Sequence, residues 1–251
     1  MPNGYNPAIY KKQGGNELVV GAGGRLNMTG IVEYFTDFLG DALEDELAAG
    51  VGSGTGNAVA LSAGVSGRVE IKTSSADAAD SANASSIGLA GLNWKANQGG
   101  LMMEARVQID NIAAVMLFVG FTDTLPGTVE LPIFLNGVDI DSTATDACGV
   151  VFDTDGTTAQ WAHGGVKADT DTAPAYLGSA PSAATWYTVR VEVSATGAVQ
   201  GYINDVPIPG GAIANAVTAT VALCPIVVAC NRGGAARNVL VDYIHVQATR
   251  G

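Results

Sequence analysis

The residues whose types and spacing come nearest to chemistry are the strand acids Glu104, Asp110 and Glu192 and the runs Asp139-Ile-Asp141 and Asp153-Thr-Asp155-Gly156. Retaining glycoside hydrolysis needs two carboxyl groups about 5 Å apart across the scissile bond. No Glu-x-Asp-x-x-Glu run exists to supply them from one strand, so Glu104, Asp110 and Glu192 read as solvated face residues. The Asp runs place oxygens at alternate positions, as hard-cation loops do, yet neither has the later Glu of an EF-hand. Asp-Gly also makes ordinary turns, so turns are expected, with a calcium site as the alternative.

His163 and His245 are the only histidines, so a Ser-His-Asp or Cys-His triad would require one of them. Neither is accompanied by a nucleophile-elbow motif. Cys148, Cys224 and Cys230 are odd in number and lack ligand spacing, which reads as buried free thiols. Trp94, Trp161 and Trp186 could form a sugar-stacking platform, although a buried core is the commoner fate of Trp. No catalytic residue, metal or cofactor is assigned, and the chain is expected not to be an enzyme.

The elements that would position these groups are short and alternating. Leu101, Met103, Ala105, Val107 and Ile109 face one way, while Met102, Glu104, Arg106, Gln108 and Asp110 face the other, which is a half-buried strand. Tyr187, Val189, Val191 and Val193 alternate with Trp186, Thr188, Arg190 and Glu192, and a turn at 195–197 returns the chain through Val199, Gly201 and Ile203 as a hairpin. Further strands are expected at 65–72, 113–122, 149–153, 158–163, 218–229 and 238–248. Many strands at turn-bounded intervals predict an all-β, antiparallel sandwich.

Two segments precede it. Residues 1–30 read as an extended arm, with Leu18 to Val20 between Gly-rich turns, and Glu17 to Val20 suited to joining a foreign sheet edge. Residues 31–50 read as an amphipathic helix and Gly-rich linker. Ile31, Phe35, Phe38, Leu39, Ala42, Leu43 and Leu47 fall on one stripe, opposite Asp37, Asp41, Glu44, Asp45 and Glu46. That stripe would pack either on its own sandwich or on sister subunits. Residues 51–251 form the sandwich domain.

Composition bounds the function. The charged fraction is 14% against a usual ~25%, so small polar residues must dominate the surface and suit contact with neighbouring subunits. A net charge of −12 opposes binding to nucleic acid and to anionic membranes. Met1 to Tyr10 hold no apolar core of a signal peptide, and Ile112 to Phe121 is too short to span a bilayer, so exit by cell lysis is expected.

The segment Trp186-Tyr-Thr-Val-Arg-Val-Glu-Val193, with Gly197-Ala-Val-Gln-Gly-Tyr-Ile-Asn-Asp205 and Val241-Asp-Tyr-Ile-His-Val246, resembles the late strands of concanavalin A-like or laminin G-like jelly rolls. The resemblance lies within residues 186–246, about a quarter of the chain, and implies two curved antiparallel sheets; this fold carries lectins, glycanases and inert modules alike. Tyr10-Lys-Lys-Gln-Gly-Gly-Asn-Glu-Leu-Val-Val20 with Gly23-Gly-Arg-Leu26 resembles the opening of tailed-bacteriophage head-decoration and head-fibre proteins. That likeness implies a structural virion protein on the outer capsid surface, bound to the major capsid protein through Tyr10, Lys11, Lys12, Glu17, Leu18, Val19 and Val20. A homotrimer is expected, its interface formed by Phe35, Phe38, Leu39 and Leu43. The alternative is a tail-associated or adhesion lectin-like module for host surface glycan, whose mark would be an exposed Trp or Tyr cluster beside Asp/Asn loops.

Overall fold

A computed structural model describes residues 30–62, 67–75 and 81–250, together with the backbone of 9–11 and 18–20. The first strands are β1 (Ile9–Lys11), β2 (Leu18–Val20), β3 (Ile31–Thr36), β4 (Leu47–Val51), β5 (Ala58–Leu61), β6 (Val69–Lys72) and β7 (Ala84–Leu89). Next come β8 (Leu101–Ile109), β9 (Val115–Thr122), β10 (Phe134–Asn136), β11 (Asp139–Asp141), β12 (Asp146–Asp153) and β13 (Trp161–Lys167). The last are β14 (Thr170–Asp171), β15 (Ala175–Tyr176), β16 (Trp186–Val193), β17 (Val199–Ile203), β18 (Val206–Pro207), β19 (Cys224–Asn231) and β20 (Asn238–Thr249).

Two antiparallel sheets pack face to face. One runs β18-β17-β16-β8-β20-β6-β5, with β3 also on β20, and the other runs β14-β13-β12-β9-β19-β7-β4, with β15 on β13. The alternation expected at 101–109 and 187–193 is realised, since Leu101, Met103, Ala105, Val107, Val189, Val191 and Val193 are buried between the sheets. Each such aliphatic side chain contributes about 1.5–3 kcal/mol by leaving water.

The two sheets differ on their outer sides. Strands β9, β12 and β19 of the second sheet are buried along their whole length. The excursion 123–145 lies over them, and Leu131, Ile133, Leu135 and Ile140 form a second core with Met116, Phe118, Val151 and Val228. The first sheet keeps a polar, half-exposed outer side. That open face is where a large ligand can reach.

The helix expected over Ile31 to Leu47 is not formed. Residues Ile31 to Thr36 make β3 and pair with Ile244 to Thr249 of β20, and Leu47 opens β4 against β7. Ile31 and Phe35 are four apart, so they share a face under period two as well as under the helical period. The residue types decide: Ile-Val-Glu-Tyr-Phe-Thr is β-branched and aromatic, and a ladder partner is available. Phe38 takes a positive φ of 55°, which no helix tolerates, and it enters the core at 5% exposure. Of the expected oligomer interface, Phe35 and Leu39 are exposed at 55% and 68%, while Leu43 packs on the core edge.

Gly50, Gly52 and Gly54 are packing positions, whereas Gly56 has open space beside it and a φ of 92°. A Cβ on Gly50 would meet the carbonyl oxygen of Pro126, and one on Gly52 would lie 2.5 Å from the carbonyl oxygens of Ser81 and Ala82.

Candidate functional site

The open face is organised in cross-strand rows, because residues opposite one another in an antiparallel sheet bring their side chains together. One row runs Tyr202, Arg190, Glu104, His245, Phe35 across β17, β16, β8, β20 and β3. The row beside it runs Gln200, Glu192, Met102, Gln247, Glu33 on the same five strands. Five strands at about 4.8 Å spacing make each row about 19 Å long. A cleft of about 710 Å³ opens at the β16–β17 end, lined among others by Met102, Arg190, Glu192, Gln200, Tyr202 and Gln247.

Arg190 is the hub. Its Nη1 donates to Asp205 Oδ1 at 2.7 Å and lies 3.9 Å from Glu104 Oε2, its Nε lies 3.1 Å from Glu192 Oε1, and its guanidinium carbon stands 4.4 Å from the centre of the Tyr202 ring. Arg106 repeats the arrangement, donating to Asp242 Oδ2 at 2.6 Å and standing 4.8 Å over the Trp186 ring. Planar guanidinium stacks well on aromatic faces, which holds Tyr202 and Trp186 in fixed orientations.

The phenols fix the carboxylates. Tyr243 Oη donates to Glu104 Oε1 at 2.7 Å, and Tyr202 Oη donates to Glu192 Oε2 at 3.0 Å. Burial, with the Glu104 acceptor, pushes the Tyr243 phenol up to about 12; burial and Glu192 likewise raise Tyr202. Both phenols therefore remain donors at neutral pH. His245 Nε2 and Glu33 Oε1 are 2.8 Å apart, and Phe35 stacks at 5.9 Å from Tyr243 and 6.1 Å from His245. The face thus presents oriented carboxylate acceptors between aromatic rings, with its cations already paired.

The expected residues separate. Glu104 and Glu192 lie on this face, with Trp186. Trp161 is buried against Phe152 and Tyr187, and Trp94 is buried at the sheet edge, so two of the three tryptophans belong to the core. His163 is buried in the other sheet with Nδ1 accepting from the Gly201 N–H at 2.9 Å, so the two histidines share no site. The cysteines are free and buried. Asp153 of the calcium alternative is engaged by Arg232 at 2.6 Å, and Asp155 Oδ2 lies 3.5 Å from the same guanidinium. Asp139 and Asp141 stand in β11, which pairs with β10. For the expected capsid-binding set, Tyr10, Lys11, Leu18, Val19 and Val20 lie in β1 and β2, whose backbones pair with each other, whereas Lys12 and Glu17 fall outside the described residues. Tyr202 and Tyr243 carry no site signal in the sequence beyond the period-two phase of β17 and β20, and Phe35, expected at an oligomer interface, joins them here through pairings between residues far apart in sequence.

No family model matches the sequence, and no curated protein matches it either. Solved structures do match in shape. A protein of unknown function from Shewanella oneidensis MR-1 superposes with a TM-score of 0.59 at 13% identity, covering 88% of this chain and 87% of its own. A Bacillus licheniformis β-glucanase gives 0.56 at 11% identity over 88% and 99%. Peanut lectin gives 0.52 at 11% over 87% and 97%.

The fold is a concanavalin A-like jelly roll. This jelly-roll architecture is the one expected from the Trp186 to Asp205 segment. The expectation that the chain is not an enzyme is corrected: a β-glucanase shares this fold over nearly its whole length, so the lack of a single-strand carboxylate run gives no ground for excluding catalysis.

Proposed function

We propose that the chain is a carbohydrate-binding jelly roll that takes a glycan chain along the open face of the β16–β8–β20 sheet. The observation that carries this reading is the row Tyr202, Arg190, Glu104, His245, Phe35 beside the 710 Å³ cleft, on the sheet whose outer side is left uncovered. Sugar rings offer an apolar C–H side and a rim of hydroxyl donors. Aromatic rings accept the first, and fixed carboxylates and amides accept the second. Arg190 and Arg106 are neutralised by Asp205, Glu192 and Asp242, which suits an uncharged glycan over an anionic one. Half-exposed Tyr202 lies beside Asn204 and Asp205, which meets in part the mark set for the lectin-like alternative. A lectin among the similar folds accords with it.

The capsid-decoration reading drew on residues 10–26, and neither the open face nor the similar folds add support to it. The test is a glycan array probed with the whole protein, followed by calorimetry and a reducing-end assay on each hit. Binding to neutral oligosaccharides is expected, with loss of the hit on Arg190→Ala. Binding confined to anionic glycans, or unaffected by Arg190→Ala, would reject this face as the site. Release of reducing ends would add hydrolysis to binding.

A further inference from the structure

Strand β3 carries an edge that no described residue covers. Arg250 N donates to the Gly30 carbonyl and Thr249 N to the Gly99 carbonyl, at 2.8 Å each. In an antiparallel ladder these bonds make Gly30 and Arg250 a hydrogen-bonded pair, so Val32, Tyr34 and Thr36 bond to β20. Ile31, Glu33 and Phe35 consequently aim their N–H and C=O groups outward. Beside that edge lies a groove of about 400 Å³, lined among others by Val32, Tyr34, Leu89 and Trp94, with the exposed acids Glu33 and Glu46. The groove is apolar within and acidic at its mouth.

The chain itself contains a matching segment. Residues 1–29 hold three cations (Lys11, Lys12, Arg25) against one acid, whereas residues 30–251 hold 23 acids against nine cations. Strand β2, Leu-Val-Val, is paired with β1 alone and with neither sheet, and Lys11 stands opposite Leu18. An extended apolar strand adds to an open edge through main-chain bonds and places alternate side chains in the groove. Ten residues, 21–30, separate β2 from β3, whereas hairpin loops usually have about 2–5. Fully extended at about 3.3 Å per residue, ten residues span about 30 Å at most.

We infer that strand β2, Leu18–Val20, of a second copy of this chain docks on the β3 edge, with Lys11 and Lys12 meeting Glu33 and Glu46. Reciprocal exchange closes the assembly and covers an edge that would otherwise invite indefinite pairing. This surface shares strand β3, with Glu33 and Phe35, with the glycan face, but differs from it in its groove and in its partner.

Light scattering on the full-length protein at micromolar concentration reads the assembly. An oligomer is expected, reduced to monomer by Val19→Pro, which removes an N–H from β2, with the sandwich melting temperature unchanged. Lys11→Glu with Lys12→Glu should weaken the assembly at least tenfold in Kd, and Glu46→Lys added to that variant should restore part of the loss. A second measurement mixes a Val19→Cys copy with a Glu33→Cys copy and adds a short thiol cross-linker; a mixed cross-linked dimer is expected. A monomeric wild type, an oligomer that survives Val19→Pro, or a mixture that gives no mixed cross-linked dimer would each overturn the inference.

Discussion

Arg232 grips Asp153 through two N–H groups, Nη2 at 2.6 Å from Oδ2 and Nε at 3.0 Å from Oδ1, with both side chains cut off from water at 1% and 0% exposure. The same carboxylate accepts the backbone N–H groups of Leu135 and Asp155. One ion pair thus ties the β19–β20 turn, the end of β12 and the excursion that covers the second sheet. Burial pushes the Asp153 carboxyl above its ordinary range, and Arg232 opposes that push.

Removing one partner of such a pair leaves a buried charge, which costs about 3–5 kcal/mol. Arg232→Met is expected to destabilise by that amount in urea unfolding. Asp153→Asn added to it should recover a good part, because a neutral amide oxygen still accepts from the backbone without the unpaired charge. A double variant as unstable as the single one would show that shape, and not charge, sets the cost.

His163 gives a pH dependence of known sign. Burial lowers it from 6.5 to about 4, and its Nδ1 is already an acceptor for the Gly201 N–H. The folded state therefore keeps a neutral ring where the unfolded chain takes up a proton. Stability from this group is complete above pH 6.5, falls as pH drops toward about 4, and changes no further below that; over the window the loss is about 3 kcal/mol. Urea unfolding at several pH values should show it, and His163→Phe should flatten the difference. An unchanged slope in His163→Phe would assign the acid sensitivity elsewhere.

Gly201 sits against that ring. A Cβ there would lie 2.5 Å from Val150 Cγ2 and 2.9 Å from His163 Cβ, across the two sheets. Gly201→Ala is expected to cost about 1–3 kcal/mol through overpacking. A melting temperature equal to wild type would mean that the sheets separate more easily than this contact implies.

Strands with one wet face are legible by alternation, and the doubly buried β9, β12 and β19 by their apolar runs. β8, β16 and β17 alternate cleanly because one side meets the other sheet and the other meets solvent. β7 carries neither signal, because Ala-Ser-Ser-Ile-Gly-Leu is buried on both sides and so gives no alternation, while its serines and glycine break any apolar run. Its serines bond instead to the carbonyl oxygens of Lys72 and Pro126. The spacing of Ile31 and Phe35 in β3 suits both periods, so its β-branched and aromatic residues and the distant partner β20, and not the spacing, decide for a strand. The site was half visible for a related reason. Glu104, Arg190 and Trp186 could be placed on outward faces, but their union with Tyr243, His245 and Phe35 is a matter of strand order, which a single sequence does not state.

Tyr202 provides the sharpest test of the glycan row. Its ring lies under Arg190 at the end of the row and beside the cleft, while its hydroxyl orients Glu192. Tyr202→Ala removes the stacking surface and frees Arg190 to move, so at least a tenfold loss of glycan affinity is expected, about 1.4 kcal/mol. Tyr202→Phe keeps the ring and loses only the hydrogen bond to Glu192, so its loss should be smaller. Because Tyr202 points away from the core, neither change should alter stability by more than about 0.5 kcal/mol. Calorimetry on a neutral oligosaccharide, paired with urea unfolding of each variant, separates the two effects. Equal losses for Tyr202→Ala and Tyr202→Phe would place recognition in the Glu192 hydrogen bond rather than the ring, and no loss in either would move the glycan off this end of the face.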